Sequence, residues 1–206
     1  MPTRSQIIMC VIVPCCVLQQ GIFLWRKNMA EEKIIMDSLT MGRTLARLSH
    51  EIIERNEDGS NLCLVGIRRR GVPIAKMLTA NIEKFSGIKV ETGELDITLY
   101  RDDLTERYDK PHINDTVINF DVNGKNIILV DDVLFTGRTA RAAMDALIEL
   151  GRPAKIQLAV VVDRGHRELP ICANYVGKNI PTSKDEFISV RLDSVDGKTE
   201  VALSKK

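Results

Sequence analysis

Hydrophobic positions along this chain switch between two periods. From Ser38 to Arg55, Leu45, Leu48, Ile52 and Ile53 fall on one helical face and Arg43, Arg47 and Glu51 fall elsewhere, which predicts an amphipathic helix. Asp37 or Ser38 can cap its start, although no glutamate completes a capping box. Asn61 to Ile67 is a short continuous apolar run of the kind found in strands buried on both faces. Val72-Pro73 places proline near the first turn of a second helix, which extends to Lys84. Leu95, Ile97 and Leu99 alternate with Glu94, Asp96 and Thr98, predicting a half-exposed strand. From Arg101 to Asp121 the chain is charged, broken by proline and without apolar periodicity, so a long loop or lid is expected.

A strand (Asn126 to Val130) ending on Asp131 and Asp132, and a helix from about Thr139 to Leu150, follow; Gly151 and Pro153 terminate that helix. Ile156 to Val162 reads as another buried strand, again ending on an aspartate, Asp163. Short strands are expected around Tyr175–Val176, Phe187–Leu192 and Thr199–Leu203. Strands alternating with helices imply an α/β fold with a mostly parallel central sheet flanked by helices.

The amino terminus departs from this pattern. Residues 1–28 contain Arg4, Arg26 and Lys27, no acid, and three of the five cysteines. The formal charge of +1 therefore leaves residues 29–206 at −2 once those three cations are set aside. Ile7 to Leu18 is apolar but shorter than the about 20 residues a membrane span needs, and it contains Pro14. An export or anchoring signal and an extension upstream of a true start at Met29 both remain open. The second is favoured, because MAEEKIIMDS reads as an amino terminus entering a first helix. Residues 29–206 are then the domain. Cys63 and Cys172 form no C-x-x-C pair and are expected to be buried thiols in a reducing, cytoplasmic compartment.

With 44% hydrophobic residues the chain can bury a proper core, whereas 4% aromatics argue against a stacking platform for single-stranded nucleic acid. A net charge near zero means that any nucleic-acid binding must come from a local patch.

Chemistry concentrates where apolar strands end, the place where ligands bind in open α/β sheets. Three such loops stand out: GIRRRG, VDDVLFTGRT and VDRGHRELP. A strand ending in two acids also resembles a magnesium-binding element of a nucleotide hydrolase. That reading needs a G-x-x-x-x-G-K-[ST] loop, and the one candidate, Gly197-Lys198-Thr199, has Leu192 where the first glycine belongs. Thr136, Gly137, Arg138 and Thr139 instead sit where a helix begins, so their N–H groups and hydroxyls offer a cradle for one phosphate. Two carboxylates a few residues earlier suit vicinal hydroxyls. Together these features describe a sugar-phosphate site.

Val130-Asp131-Asp132-Val133-Leu134-Phe135-Thr136-Gly137-Arg138-Thr139 resembles the signature of type I phosphoribosyltransferases, which bind phosphoribosyl pyrophosphate (PRPP). GELDITLYRDDL, VDRGHRELPI and YVGKNIPTSK narrow the resemblance to the bacterial bifunctional pyrimidine-operon regulators with uracil phosphoribosyltransferase activity, over about Ile35 to Val201. The resemblance implies the type I phosphoribosyltransferase fold, with a flexible lid and a small hood. It also implies the reaction uracil + PRPP → UMP + pyrophosphate with Mg2+, and a homodimer or homotetramer. By the same resemblance, Arg68, Arg69, Arg70 and Gly71 meet the pyrophosphate, and Asp131 and Asp132 hold the ribose hydroxyls with Mg2+ nearby. Val133, Leu134, Phe135, Thr136, Gly137, Arg138 and Thr139 surround the 5′-phosphate. Arg101 and Asp102 stand at the base of the lid and complete the catalytic set with Asp131 and Asp132. Asp163, Arg164, Gly165 and His166 of the hood, with Val176 and Lys178, frame uracil. No side-chain general base is assigned, because uracil N1 is itself fairly acidic.

The resemblance further implies binding of a stem-loop in pyrimidine-operon leader mRNA in response to UMP or UTP. Candidate contacts are Arg43, Arg47, His50, Arg55, Arg164, His166, Arg167 and Lys178. Members that bind RNA commonly carry arginine where this chain has Cys172, and aspartate where it has Asn174. The lost cation would remove one contact of about 1–3 kcal/mol. An enzyme without RNA regulation, and a regulator that keeps the PRPP site as a nucleotide sensor, therefore remain alternatives.

Overall fold

The computed structural model describes residues 32–56, 59, 61–100 and 116–205, save the side chain of Leu99. Residues 1–28, and Arg101 and Asp102 with most of the expected lid, lie outside the described residues. Among those described, the chain runs β1 (Lys33–Met36), α1 (Ser38–Arg55), β2 (Leu62–Ile67), α2 (Gly71–Ser86), β3 (Glu91–Leu95), a 3-10 turn (Thr98–Tyr100), β4 (Asn126–Leu134), α3 (Arg138–Leu150), β5 (Lys155–Asp163), β6 (Tyr175–Asn179), β7 (Glu186–Arg191), α4 (Asp193–Asp196) and β8 (Glu200–Lys205).

The main sheet has the order β3-β2-β4-β5-β6, with every neighbouring pair parallel. Its strands are apolar on both faces because helices cover both. Leu64, Ile128, Val130 and Val161 pack beneath α1 and α2, while Val65, Ile127, Leu129 and Val160 pack against α3. Successive side chains of one strand thus serve opposite layers. A second, antiparallel sheet, β1-β8-β7, brings both ends of the described chain together, and its Val190 and Val201 join the core under α1.

Capping explains several boundaries. The Asp37 carboxylate accepts the Thr40 N–H at 2.8 Å and starts α1. Gly87 ends α2 in the left-handed region at φ 73, donating its N–H to Glu83 O.

Four expectations need correction. Residues 33–36 form a strand, not a lead into a helix, because they pair with Val201–Leu203 of β8. The third strand of the main sheet lies at Glu91–Leu95, earlier than the alternation suggested; Thr98–Tyr100 is a 3-10 turn, and Ile97 is buried by that bend and not by sheet pairing. The strand before the two aspartates does not end on them: β4 runs on to Leu134, which pairs with Asp163 of β5. Finally, Cys63 is buried and Cys172 is exposed.

Candidate active site

The carboxyl ends of β2, β3 and β4 open on one side of the main sheet. Here Gly71, the first residue of α2, lies against β4 so closely that a Cβ would stand 2.2 Å from Val130 O. Only glycine allows the loop Arg68-Arg69-Arg70 to lie beside the aspartates. A cavity of about 590 Å3 results, lined by Arg68, Arg69, Arg70, Asp96, Ile97, Thr98, Asp131, Asp132, Val133 and Thr139.

Asp131 Oδ1 accepts the Asp132 N–H at 2.9 Å, and Asp132 Oδ1 accepts the Val133 N–H at 2.8 Å. Each carboxylate therefore fixes its own orientation with one oxygen. Burial pushes the Asp132 carboxyl above the ordinary carboxylate range, opposed by its hydrogen bonding with Asp131 and Val133 and by the charge of Arg70. Carboxylates ionised here would gain from a cation or from hydroxyl donors.

A second cavity of about 290 Å3 shares Asp131, Val133 and Thr139 with the first and is walled by Leu134, Phe135, Thr136, Gly137, Arg138 and Glu168. Gly137 sits at φ 94 and precedes α3; it brings no side-chain cap, nor does Arg70 before α2, although Thr136 Oγ1 accepts the Arg138 N–H at 3.4 Å. The contrast with α1, capped by Asp37, is chemical: the two helix starts facing the cavities leave amide donors for an anion. Phe135 is exposed, whereas Leu134 is buried in the core and anchors the turn. Thr136 O accepts the N–H groups of Glu168 and Leu169 at 3.0 and 3.2 Å, so the loop after β5 rests on this turn.

That loop, the expected hood, is held by its own cations. The Asp163 carboxylate accepts from the Gly165 N–H and pairs with Arg167, which also donates to Phe135 O at 2.7 Å and Ile171 O at 2.9 Å. Arg164 is buried and donates to Thr182 Oγ1 and Glu186 O. His166 Nε2 lies 2.6 Å from Thr182 O. The side chains of Asp163, Arg164 and Arg167 thus build the loop, which leaves backbone groups to present to a ligand. Val176 is half-buried, and Lys178 is exposed on the edge strand β6.

The helix α1 cations divide similarly. Arg47 pairs with Glu51 and donates to Val176 O and Gly177 O, docking α1 on β6. Arg55 donates to Asn174 O and covers the Tyr175 ring. Arg43 is exposed, and His50 stacks on Phe85 with centroids 4.4 Å apart.

Sequence reading missed Asp96, Thr98 and Glu168. The Asp96 carboxylate accepts from both the Thr98 N–H and hydroxyl, a D-x-T turn that the sequence does display at a strand's end. Glu168 pairs with Arg138 at 2.8 Å, a contact between separate loops that sequence does not reveal.

Fold and cavity together define a phosphoribosyltransferase domain: the family model described as "Phosphoribosyl transferase domain" matches residues 33–194. Hypoxanthine phosphoribosyltransferase from Trypanosoma cruzi superposes with a TM-score of 0.65, covering 84% of this chain and 96% of that one; at 17% identity the likeness is one of fold. Sequence similarity is far stronger to the protein named Bifunctional protein PyrR. The Clostridioides difficile protein is 55% identical over 177 residues, 86% of this chain and 100% of the relative, and that of Clostridium novyi is 57% identical over 175 residues, 85% and 98%. The chain belongs to the PyrR family of type I phosphoribosyltransferases.

Proposed function

We propose that this chain transfers the ribosyl phosphate of PRPP to uracil, giving UMP and pyrophosphate, and that it also binds pyrimidine-operon leader RNA in response to UMP or UTP. The observation that carries the first activity is the pair of adjoining cavities sharing Asp131, Val133 and Thr139. One ligand reaching across both would place its 5′-phosphate at the start of α3 and its pyrophosphate at Arg69 and the start of α2. Its ribose hydroxyls would then lie against Asp131 and Asp132. The base would meet the backbone of the hood at Asp163 to His166, with Val176 and Lys178 beside it. Arg101 and Asp102 would act from the lid.

The donor set fits Mg2+: two oxygen ligands, no sulfur or imidazole, and room for the phosphate oxygens and waters that this ion keeps. Among the described residues no cluster of three ligating side chains occurs. Mg2+ held near Asp131 and Asp132 would supply charge neutralisation on the departing pyrophosphate. The residues themselves orient the ribose and exclude water while C1 gains oxocarbenium character.

For the RNA, Arg43, His50 and Lys178 present surface donors, while the exposed Arg47 and the half-buried Arg167 are engaged in hydrogen bonds to other parts of the chain. Asn174 Oδ1 accepts the Leu158 N–H at 3.0 Å, a bond that aspartate would make equally, so the residue at 174 leaves the strand end intact. The position bearing on RNA affinity is the exposed Cys172. Assembly as a homodimer or homotetramer and action in the cytoplasm complete the reading; no helix among the described residues is long and apolar enough to cross a membrane.

The test is release of pyrophosphate from PRPP with uracil, with hypoxanthine as control. Uracil-dependent turnover is expected, and its absence with both bases rejects the reading. Filter binding to the chain's own operon leader, with and without UMP, tests the second activity: UMP-enhanced retention is expected, and none rejects it.

A further inference from the structure

Arg70 stands in the loop that lines the larger cavity, and its guanidinium is held by α4. Nη2 donates to Asp196 Oδ1 at 2.9 Å and Nε to Asp196 Oδ2 at 3.2 Å. Asp196 Oδ2 also accepts the Leu192 N–H at 3.0 Å, so the carboxylate is fixed by three donors. This is the fork-to-fork geometry in which arginine gives direction as well as charge. The support beneath it is firm. Leu192 is buried, the Asp196 N–H returns to Leu192 O, and Arg191 pairs with Glu200 across the β7–β8 ladder. Opposite this anchor, the backbone of residues 70 and 71 cannot shift toward β4, because Gly71 already touches Val130 O.

We infer that Asp196 is a positioning residue for the phosphoribosyl substrate: through Arg70 it holds the residue 68–71 loop in the pose that presents its amides to the pyrophosphate group. The inference rests on the PRPP-site reading above. It differs from that reading in one respect: Arg70 acts through Asp196 and not as a direct ligand. It also gives the β1-β8-β7 sheet a task in the reaction, since the sheet carries the anchor.

The geometry makes a directional prediction. Were Arg70 a direct ligand, releasing it from Asp196 would leave PRPP affinity unchanged or tighten it. As a strut, releasing it loosens the loop. The experiment compares the full-length parent, Asp196→Asn, Arg70→Gln and the double variant by calorimetric titration with PRPP in Mg2+ and by steady-state kinetics with uracil. For Asp196→Asn the PRPP Kd and KM are expected to rise about tenfold, with the uracil KM within about twofold of the parent. The double variant is expected to lose no more than the worse single variant. Unchanged or tighter PRPP binding by Asp196→Asn overturns the inference, as do additive losses or an equal rise in the uracil KM. A parent that binds no PRPP overturns the underlying site reading as well, so the two failures are distinguishable. If Asp196→Asn does not fold, Asp196→Glu, which keeps the charge but moves it by one methylene, takes its place. Weakening of PRPP by threefold or more supports the strut, and unaltered binding overturns it.

Discussion

The guanidinium of Arg164 lies 4.1 Å from the centroid of the Phe135 ring. One residue belongs to the hood, the other to the turn between the paired aspartates and α3. Stacking of a buried cation on an aromatic face ties together the two loops proposed to frame the base and the phosphate. It also answers why an apolar pair, Leu134 and Phe135, separates the acids from the cradle: the first anchors the turn in the core, and the second carries the hood.

Arg164→Ala should therefore destabilise the whole domain. Burial already lowers its pKa, yet three neighbours accept from it, and removing it leaves Glu186 O, Ser183 O and Thr182 Oγ1 without their donor. A loss of about 3 kcal/mol is expected from the buried acceptors left unpaired, or about 6–12 °C in Tm for a chain of this size. Phe135→Ala should cost less stability but raise the uracil KM more than the PRPP KM. Thermal melts and two-substrate kinetics check both.

Gly71→Ala places a methyl within 2.2 Å of Val130 O. The loop must then leave the aspartates, and PRPP binding should fall at least about a hundredfold. Calorimetric titration with PRPP reads this directly; binding within threefold of the parent would contradict the close approach.

Two of the five cysteines, Cys63 and Cys172, make a labelling test. Burial pushes the Cys63 thiol up to about 11, whereas Cys172 is exposed. At pH 8 a thiol with so high a pKa is almost wholly protonated and unreactive. Iodoacetamide should modify the Cys172 peptide within minutes and the Cys63 peptide only after unfolding, as mass spectrometry would show.

The Asp196 carboxyl is held below the ordinary range chiefly by its hydrogen bond from Arg70. A group depressed in the folded state adds stability above its unfolded pKa, and that stability is lost as pH falls through the folded value. Asp196→Asn should therefore melt lower than the parent at pH 6–8. The gap should close on acidification below about 3.9, the unfolded carboxylate value. A gap constant down to pH 2 would contradict the ion pair.

How much of this was legible beforehand depends on distance along the chain. Ser38–Arg55 was readable to the residue, because its apolar face and the Asp37 cap are both local. So were the buried cores of β2 and β5. What escaped was non-local. Lys33–Met36 becomes a strand only by pairing with residues about 165 positions on. The register with β5 keeps Asp131 and Asp132 within β4, where the polarity of their side chains suggested an end. Asp131 and Asp132 could be singled out as candidates because two acids after an apolar run have no cheap structural purpose. By contrast, Arg47 and Arg167 read in sequence as candidate RNA contacts and Arg70 as a pyrophosphate contact, and their partners at Gly177, Phe135 and Asp196 become visible only in the fold.

Asp132→Asn most directly tests the central claim, that paired carboxylates beside a phosphate cradle make this chain a uracil phosphoribosyltransferase. The side chain keeps its shape and can still accept the Val133 N–H. Since burial raises the Asp132 pKa, its ionised form costs the empty protein stability, so the variant should melt no lower than the parent at pH 8. UMP formation from uracil and PRPP in Mg2+ should nonetheless fall by at least about a hundredfold. Turnover equal to the parent's in a folded Asp132→Asn protein would contradict the account.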